Sequence, residues 1–358
     1  MGKILAIDIG AGTQDLLIFD PATKEHFKWV AKAPTRLLAE KVRAAKNDLL
    51  ITGDTMGGGP VAQAIKELVR ERSIFITPLA AATVHNDLDK VKTLGIEVLS
   101  EQEAHDKLQG GKVDHIVTGD IFPEQLQAIM SYMGIAFDFE YVLVAVQDHG
   151  LPPRNVSTLD FRHQFIKEAL TKNPLPESLL YPANDIPPYL TRMRAVAQKA
   201  REIPARQIYV MDTGMAAILG ASLDPGCKGL NKIMVLDIAT SHTLAATLIG
   251  KEIAGLFEYH THSLTAERLE KLMIELAEGR LSHRGILAEG GHGAYIREAI
   301  GVVSLEAIVV TGPKRSLAKG LPFNIINGAP FGDNMMTGPA GLLEALNRKE
   351  SLGLDLSA

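Results

Sequence analysis

The sequence predicts an α/β protein of two lobes, and three observations carry that prediction. Strand-like and helix-like segments alternate almost throughout the chain. At 358 residues, the chain exceeds the length that a single core usually serves. Finally, Lys3-Ile4-Leu5-Ala6-Ile7-Asp8-Ile9 recurs as Lys232-Ile233-Met234-Val235-Leu236-Asp237-Ile238. Each copy is a buried-type strand ending in Asp-Ile, followed by small and hydroxyl residues and then a second apolar strand. Self-similarity at one large offset indicates a duplicated domain rather than a solenoid.

In chain order, residues 3–8, 14–20 and about 25–30 read as a meander, with Pro21-Ala22 as a turn. A helix is expected over 35–46, then a strand over 49–52. A glycine-rich turn leads to a helix beginning at Pro60, a residue suited to the first helical position. Val61, Ile65, Leu68 and Val69 share one face of it. Strands follow at 74–77, 96–99, 115–118 and 141–146, with helices at 101–108, 123–133 and 161–170. Five prolines within 173–188 mark an ordered loop or linker, with a helix after it at about 189–201. From residue 207 the pattern reads as a second domain, with strands at 208–211, 233–237, 242–249 and 252–259. Thr265 caps a helix that turns Leu269, Leu272, Met273 and Leu276 inward and stops at Gly279. A strand at 307–311 and a helix near 339–348 complete the chain. This divides it into a first lobe (1–205), carrying an inserted α/β segment at about 53–140, and a second lobe (206–358).

Composition removes several classes of function. With a net charge of −5 there is no broad basic surface, so nucleic acid is not expected as a partner. No apolar run reaches membrane-spanning length, and Ile4–Ile7 is too short for a signal-peptide core. Ala6 stands where an acylation signal needs Ser or Thr. The expected setting is soluble and cytoplasmic. Cys227 is the only cysteine, which excludes an intrachain disulfide, a multi-cysteine zinc site and an iron–sulfur cluster held by this chain's own thiolates.

The segment Asp8-Ile9-Gly10-Ala11-Gly12-Thr13-Gln14-Asp15 joins two strands. Gly10 and Gly12 would let backbone N–H groups turn tightly toward a polyphosphate, and Thr13 adds a hydroxyl. Asp8, at a strand end, suits a hydrated Mg²⁺ rather than phosphate. This octapeptide resembles the first phosphate motif of the actin, Hsp70 and sugar-kinase superfamily. Asp237-Ile238-Ala239-Thr240-Ser241-His242-Thr243 resembles the second phosphate motif, and Asp212–Gly220 the small-residue helix joining the lobes. Ile308-Val309-Val310-Thr311-Gly312-Pro313-Lys314-Arg315 is similar to the adenosine motif, and Gly328–Leu343 to the second connecting helix. The resemblance implies two ribonuclease-H-like lobes with a nucleotide cleft between them. It implies ATP and Mg²⁺ as cofactors, with Asp8 and Asp237 toward the metal, Gly10–Thr13 and Ala239–Thr243 on the phosphates, and Gly312, Pro313 and Arg315 toward the adenosine. In the second loop Ala239 replaces the expected glycine, and His242 stands where many relatives carry Thr. At finer grain the chain is similar to a prokaryotic family labelled as pyruvate formate-lyase activating enzymes. One cysteine cannot supply the three-cysteine cluster of such radical activators, so that chemistry is set aside.

Outside these motifs, Gln147-Asp148-His149-Gly150 follows a strand whose end faces the cleft in this topology. Asp148 is a candidate general base and Gln147 a candidate for orienting water; an ordinary polar turn is the alternative. Gly53–Pro60 precedes a helix and either binds an anion or is a flexible turn. Lys314 and Arg315 either reach ribose or phosphate or are simply solvated. His260 and His262 share a strand face and, with His242, form a candidate transition-metal site, against the commoner reading of satisfied lone histidines. His283 and His292 are weaker candidates.

The expected function is an ATP- and Mg²⁺-dependent phosphotransferase or ATPase acting on an unidentified small molecule. The alternatives are a nucleotide-gated module serving a protein partner, or an anion-binding protein with a degenerate nucleotide site.

Overall fold

The structure, a computed structural model, describes residues 1–356. Two six-stranded sheets repeat one plan. In the first, His26–Lys32, Thr13–Phe19 and Ile4–Ile9 form an antiparallel meander, and Phe139–Val146 and Ala205–Asp212 continue it in parallel. In the second, Glu252–His260, His242–Ile249 and Lys232–Ile238 form the meander, continued in parallel by Ala307–Thr311 and Ile325–Asn327. Each sheet gains one antiparallel edge strand, Leu180–Pro182 in the first and Gly293–Ile296 in the second. This is the duplication that the repeated strands predicted, in the α/β, ribonuclease-H-like form that the resemblance implied.

The sequence reading is corrected on one strand. Ala205–Asp212, read there as the start of the second domain, pairs with Phe139–Val146 and belongs to the first sheet. The proline-rich stretch before it contributes Leu180–Pro182, whose one proline sits at a sheet edge where a missing N–H is tolerated.

The core follows the period-2 alternation of the strands. Ile233 and Val235 join one large core with the first sheet and the two connecting helices, Thr213–Ala221 and Thr337–Glu350. Met234, Leu236 and Ile238, on the opposite face, pack with the helix Ala266–Ala277. The connecting helices cross so closely that a Cβ on Gly220 would lie 1.8 Å from the Thr337 carbonyl oxygen, and one on Gly341 1.8 Å from that of Ala216. Only glycine fits at either position.

A third, all-parallel sheet of four strands spans 48–118, in the order Glu97–Val98, Ile74–Ile76, Asp48–Gly53 and Val113–Thr118. Its own core includes Leu49, Ile51, Ile65 and Ile76. Among the described residues, no helix is long and apolar enough to cross a membrane.

Candidate functional site

The two hairpins made by the duplicated sequence bring their loops together. In one, the Gly10 N–H donates to the Thr13 carbonyl (3.0 Å); in the other, the Ala239 N–H donates to the His242 carbonyl (3.1 Å). The Ala11-Gly12 and Thr240-Ser241 turns therefore occupy equivalent places. Neither Gly10 nor Gly12 has a positive φ, so the turn itself does not demand glycine. Gly12 instead lets the two loops approach closely, since a Cβ there would sit 2.5 Å from Thr240 Oγ1 and push that exposed side chain aside. Ala239 accordingly makes the same turn without strain.

These loops line a cavity of about 420 Å³, within the range of small-molecule sites. Asp8, Asp237, the 10–13 and 239–242 loops, Gly312-Pro313, Gln147 and Asp148 all border it. Residues 55–60 of the third sheet's glycine-rich loop form part of its wall. Two expected residues lie elsewhere. Thr243 alternates to the far side of its strand from His242, is fully buried, and shares a hydrogen bond with Thr261 (3.0 Å). Arg315 is exposed and outside the lining, as is Lys314.

Three carboxyl groups converge on the cavity. Asp8 ends its strand beside Asp15, its hydrogen-bonded sheet partner. Thr213 Oγ1 donates to Asp8 Oδ1 (2.6 Å), and Gly338 lies so near that a Cβ would meet Asp8 Oδ2 at 2.1 Å. Thr311 Oγ1 donates to Asp237 Oδ1 (2.9 Å). Burial raises all three acids: Asp8 to about 7, with Asp237 and Asp212 adding to the rise against the Thr213 hydrogen bond; Asp15 to about 8, with the Asp8 charge adding; Asp237 to about 6. Asp15 Oδ1 is buried with no hydrogen-bond partner. An orphaned acceptor among acids that burial drives toward neutrality is the arrangement a bound cation would relieve.

Gly312 adopts φ +89°, and a Cβ there would lie 2.4 Å from the Ile238 carbonyl oxygen. Its N–H donates to Asn334 Oδ1 (2.9 Å). Glycine thus lets the 312–313 turn fold over the end of the Asp237 strand.

Asp148 does not stand free. Its Oδ1 accepts from the Gly150 N–H (2.8 Å) and its Oδ2 from the Met193 N–H (2.9 Å), at the start of the helix Thr191–Ala200. Burial raises this carboxyl, and those two hydrogen bonds lower it in part. Gln147 Nε2 donates across the cleft to Glu258. Arg162 joins the two sheets, with Nη1 donating to Asp212 Oδ2 (2.7 Å) and Nε to Glu258 Oε2 (3.3 Å). Burial opposes ionisation of Glu258, but Arg162 and its histidine neighbour hold it well below the usual carboxylate range. Arg192 grips Asp120 with two nitrogens (2.7 and 2.9 Å) and packs against Gly57, whose N–H donates to Asp120 Oδ1 (3.3 Å). Sequence reasoning missed Asp15, Asn334, Arg162, Arg192, Asp212 and Glu258 as lining or bracing groups of this cavity. Their partners lie up to 111 residues away, as for Glu258 and Gln147, and no local spacing signals them.

The histidines fall differently from expectation. His242 and His260 are cross-strand partners, but His262 lies exposed on a short 3₁₀ turn. His292 takes the third place instead.

A family model matches residues 56–317, about three-quarters of the chain, under the description "putative pyruvate format-lyase activating enzyme (DUF1786)". The chain belongs to this family. The family's label does not transfer as radical chemistry, because Cys227 is this chain's only cysteine and burial pushes its thiol up to about 11. No curated protein matches the chain. Among solved structures it is similar to a Bacteroides thetaiotaomicron protein "with actin-like ATPase fold and unknown function". That match has 9% identity, covers 95% of each chain and has a TM-score of 0.35. It is also similar to the ethanolamine utilization protein EutJ from Carboxydothermus hydrogenoformans (14% identity, 96% of this chain and 89% of that one, TM-score 0.34). A third likeness is to the PilM–PilN type IV pilus biogenesis complex (14% identity, 96% of this chain and 98% of that one, TM-score 0.37).

Proposed function

We propose that the cleft binds a magnesium–nucleoside triphosphate, ATP by preference, and that the protein transfers or hydrolyses its terminal phosphoryl group. The observation carrying this reading is the convergence of Asp8, Asp15 and Asp237 on the cavity shared by the two duplicated loops. In this reading Asp8 and Asp237 hold the hydrated ion, with the unpartnered Asp15 Oδ1 as a third acceptor. Bound Mg²⁺ would neutralise phosphate charge. Backbone N–H groups of the 10–13 loop and the hydroxyls of Thr240 and Ser241 face the phosphates. Gly312, Pro313 and Asn334 take the nucleoside end. A small-molecule acceptor would enter beside the Gly57–Pro60 wall. Such a reaction fits the cytoplasmic setting expected from the sequence.

One observation favours a second reading, in which the nucleotide gates a surface for a protein partner and turnover is secondary. Both oxygens of Asp148 are taken by backbone N–H groups, and Gln147 is held by Glu258, so neither expected catalytic group is free.

Calorimetric titration with a non-hydrolysable ATP analogue, with and without Mg²⁺, tests the shared core of both readings. Magnesium-dependent binding that Asp8→Asn abolishes supports the assignment; equal binding with and without the ion refutes it. Phosphate release that rises with small metabolites supports the first reading, whereas a rise only with a protein partner supports the second.

A further inference from the structure

Strand register sets three imidazoles side by side. His242 and His260 are paired across antiparallel strands, so their side chains leave the sheet on the same face. The His292 N–H donates to the Glu258 carbonyl (2.9 Å) just before the edge strand Gly293–Ile296, which places His292 next to both. The ring centroids of His242 and His260 lie 5.1 Å apart, and each is 4.4 Å from that of His292. One ligand nitrogen from each ring lies within 4.8 Å of the others.

The hydrogen bonding around the cluster is that of a ligand set. His292 Nδ1 is 3.1 Å from Glu258 Oε1. A carboxylate accepts, so Nδ1 carries the hydrogen, and in the neutral ring the Nε2 lone pair is left bare. That lone pair faces His260 Nε2 at 3.1 Å, within hydrogen-bond reach and close to the roughly 3.3 Å between nitrogens on a tetrahedral ion with 2.0–2.1 Å bonds. The His242 ring, half-buried, makes no hydrogen bond among the described residues. A carboxylate behind a ligating imidazole is the usual outer support of a histidine metal site.

We propose that His242, His260 and His292 bind one divalent transition-metal ion of the zinc class, with Glu258 orienting His292. Three nitrogens leave a fourth position for water or a small oxyanion, the ligand count of a reactive rather than a closed structural zinc site. Hard oxygen-seeking ions such as Mg²⁺ are poorly served by three imidazoles. The site is therefore chemically distinct from the aspartate cluster, and this inference does not depend on the nucleotide assignment. Because His242 and Glu258 border the cavity, an ion here would stand at the cleft wall.

The test uses the full chain, stripped with EDTA, desalted and titrated with Zn²⁺ alone against a chromogenic chelator, and separately with Co²⁺ followed by visible absorption. The expected result is one equivalent of Zn²⁺ per chain and the intense bands of four-coordinate Co²⁺. His292→Ala and His260→Ala should abolish stoichiometric uptake. Glu258→Gln should weaken it roughly 10–100-fold, the usual effect of losing an outer partner. His262→Ala and Asp8→Asn should leave it intact. Uptake that survives His292→Ala, uptake lost in Asp8→Asn, or no uptake by the wild-type chain would overturn the proposal. Should a histidine variant misfold, the wild-type cobalt spectrum decides alone: the weak absorption of a six-coordinate ion counts against the site.

Discussion

Replacing Asp8 by asparagine should make the ligand-free protein more stable at pH 8 while removing its response to magnesium nucleotide. The carboxyl is raised from 3.8 to about 7, chiefly by burial, with Asp237 and Asp212 adding to the rise. An acid whose folded value is raised carries no penalty below its unfolded value. The penalty grows as pH climbs toward the folded value and is complete above it. At about 1.4 kcal/mol per unit, the full penalty above pH 7 is on the order of 4 kcal/mol. About 2 kcal/mol of it is acquired between pH 5 and pH 7. Asparagine is neutral at every pH and keeps an oxygen to accept the Thr213 hydroxyl, so it sheds that penalty without losing the bond. The gain in stability should therefore be larger at pH 8 than at pH 5, by several degrees in the unfolding midpoint. Thermal unfolding in EDTA at both pH values, followed by circular dichroism, measures it. An equal gain at the two pH values, or none at pH 8, would show that Asp8 is not held under electrostatic strain. A variant still stabilised by the magnesium–nucleotide analogue would remove Asp8 from the metal site.

Other substitutions probe the frame around the cleft. Gly341→Ala drives a methyl into the Ala216 carbonyl; it should cost at least about 1–3 kcal/mol in denaturant unfolding and weaken nucleotide affinity as the helices part. Arg162→Leu leaves Asp212 and Glu258 buried without their common cation, with an expected loss of roughly 3–5 kcal/mol in the same assay. Asp148→Asn can accept only one of two buried N–H groups in the same way, so stability should fall by about 1–3 kcal/mol with analogue affinity unchanged. A loss of turnover of about 100-fold or more at unchanged stability would instead restore Asp148 as a general base.

Much of the frame was legible because it is written in long, strongly patterned segments. The Lys3–Ile9 and Lys232–Ile238 strands, the two aspartates and the small-residue helix could be read directly, and they converge on the cleft. The strand Ala205–Asp212 was misplaced because nothing local distinguishes the last strand of one sheet from the first of the next; its parallel partner lies some sixty residues earlier. Gly293–Ile296 and Ile325–Asn327 are too short to show periodicity. Thr243 was assigned to the phosphates because motif matching runs along the chain, whereas the strand's alternation turns only every second residue toward the cavity. His292 ranks only as a weaker candidate in the sequence because its place in the histidine cluster comes from an edge strand's register, not from spacing to His242 or His260.

The bonds that Gln147 and Arg162 make to Glu258 have a kinetic consequence. They join the two sheets through largely buried side chains, so parting the sheets requires both contacts to break. On the proposed reading, a nucleotide whose entry parts the sheets waits for those contacts to let go. Arrival should be governed by how often the door opens, so the observed association rate should level off at high nucleotide concentration instead of climbing in proportion. The waiting time should shorten in any variant that loosens Glu258.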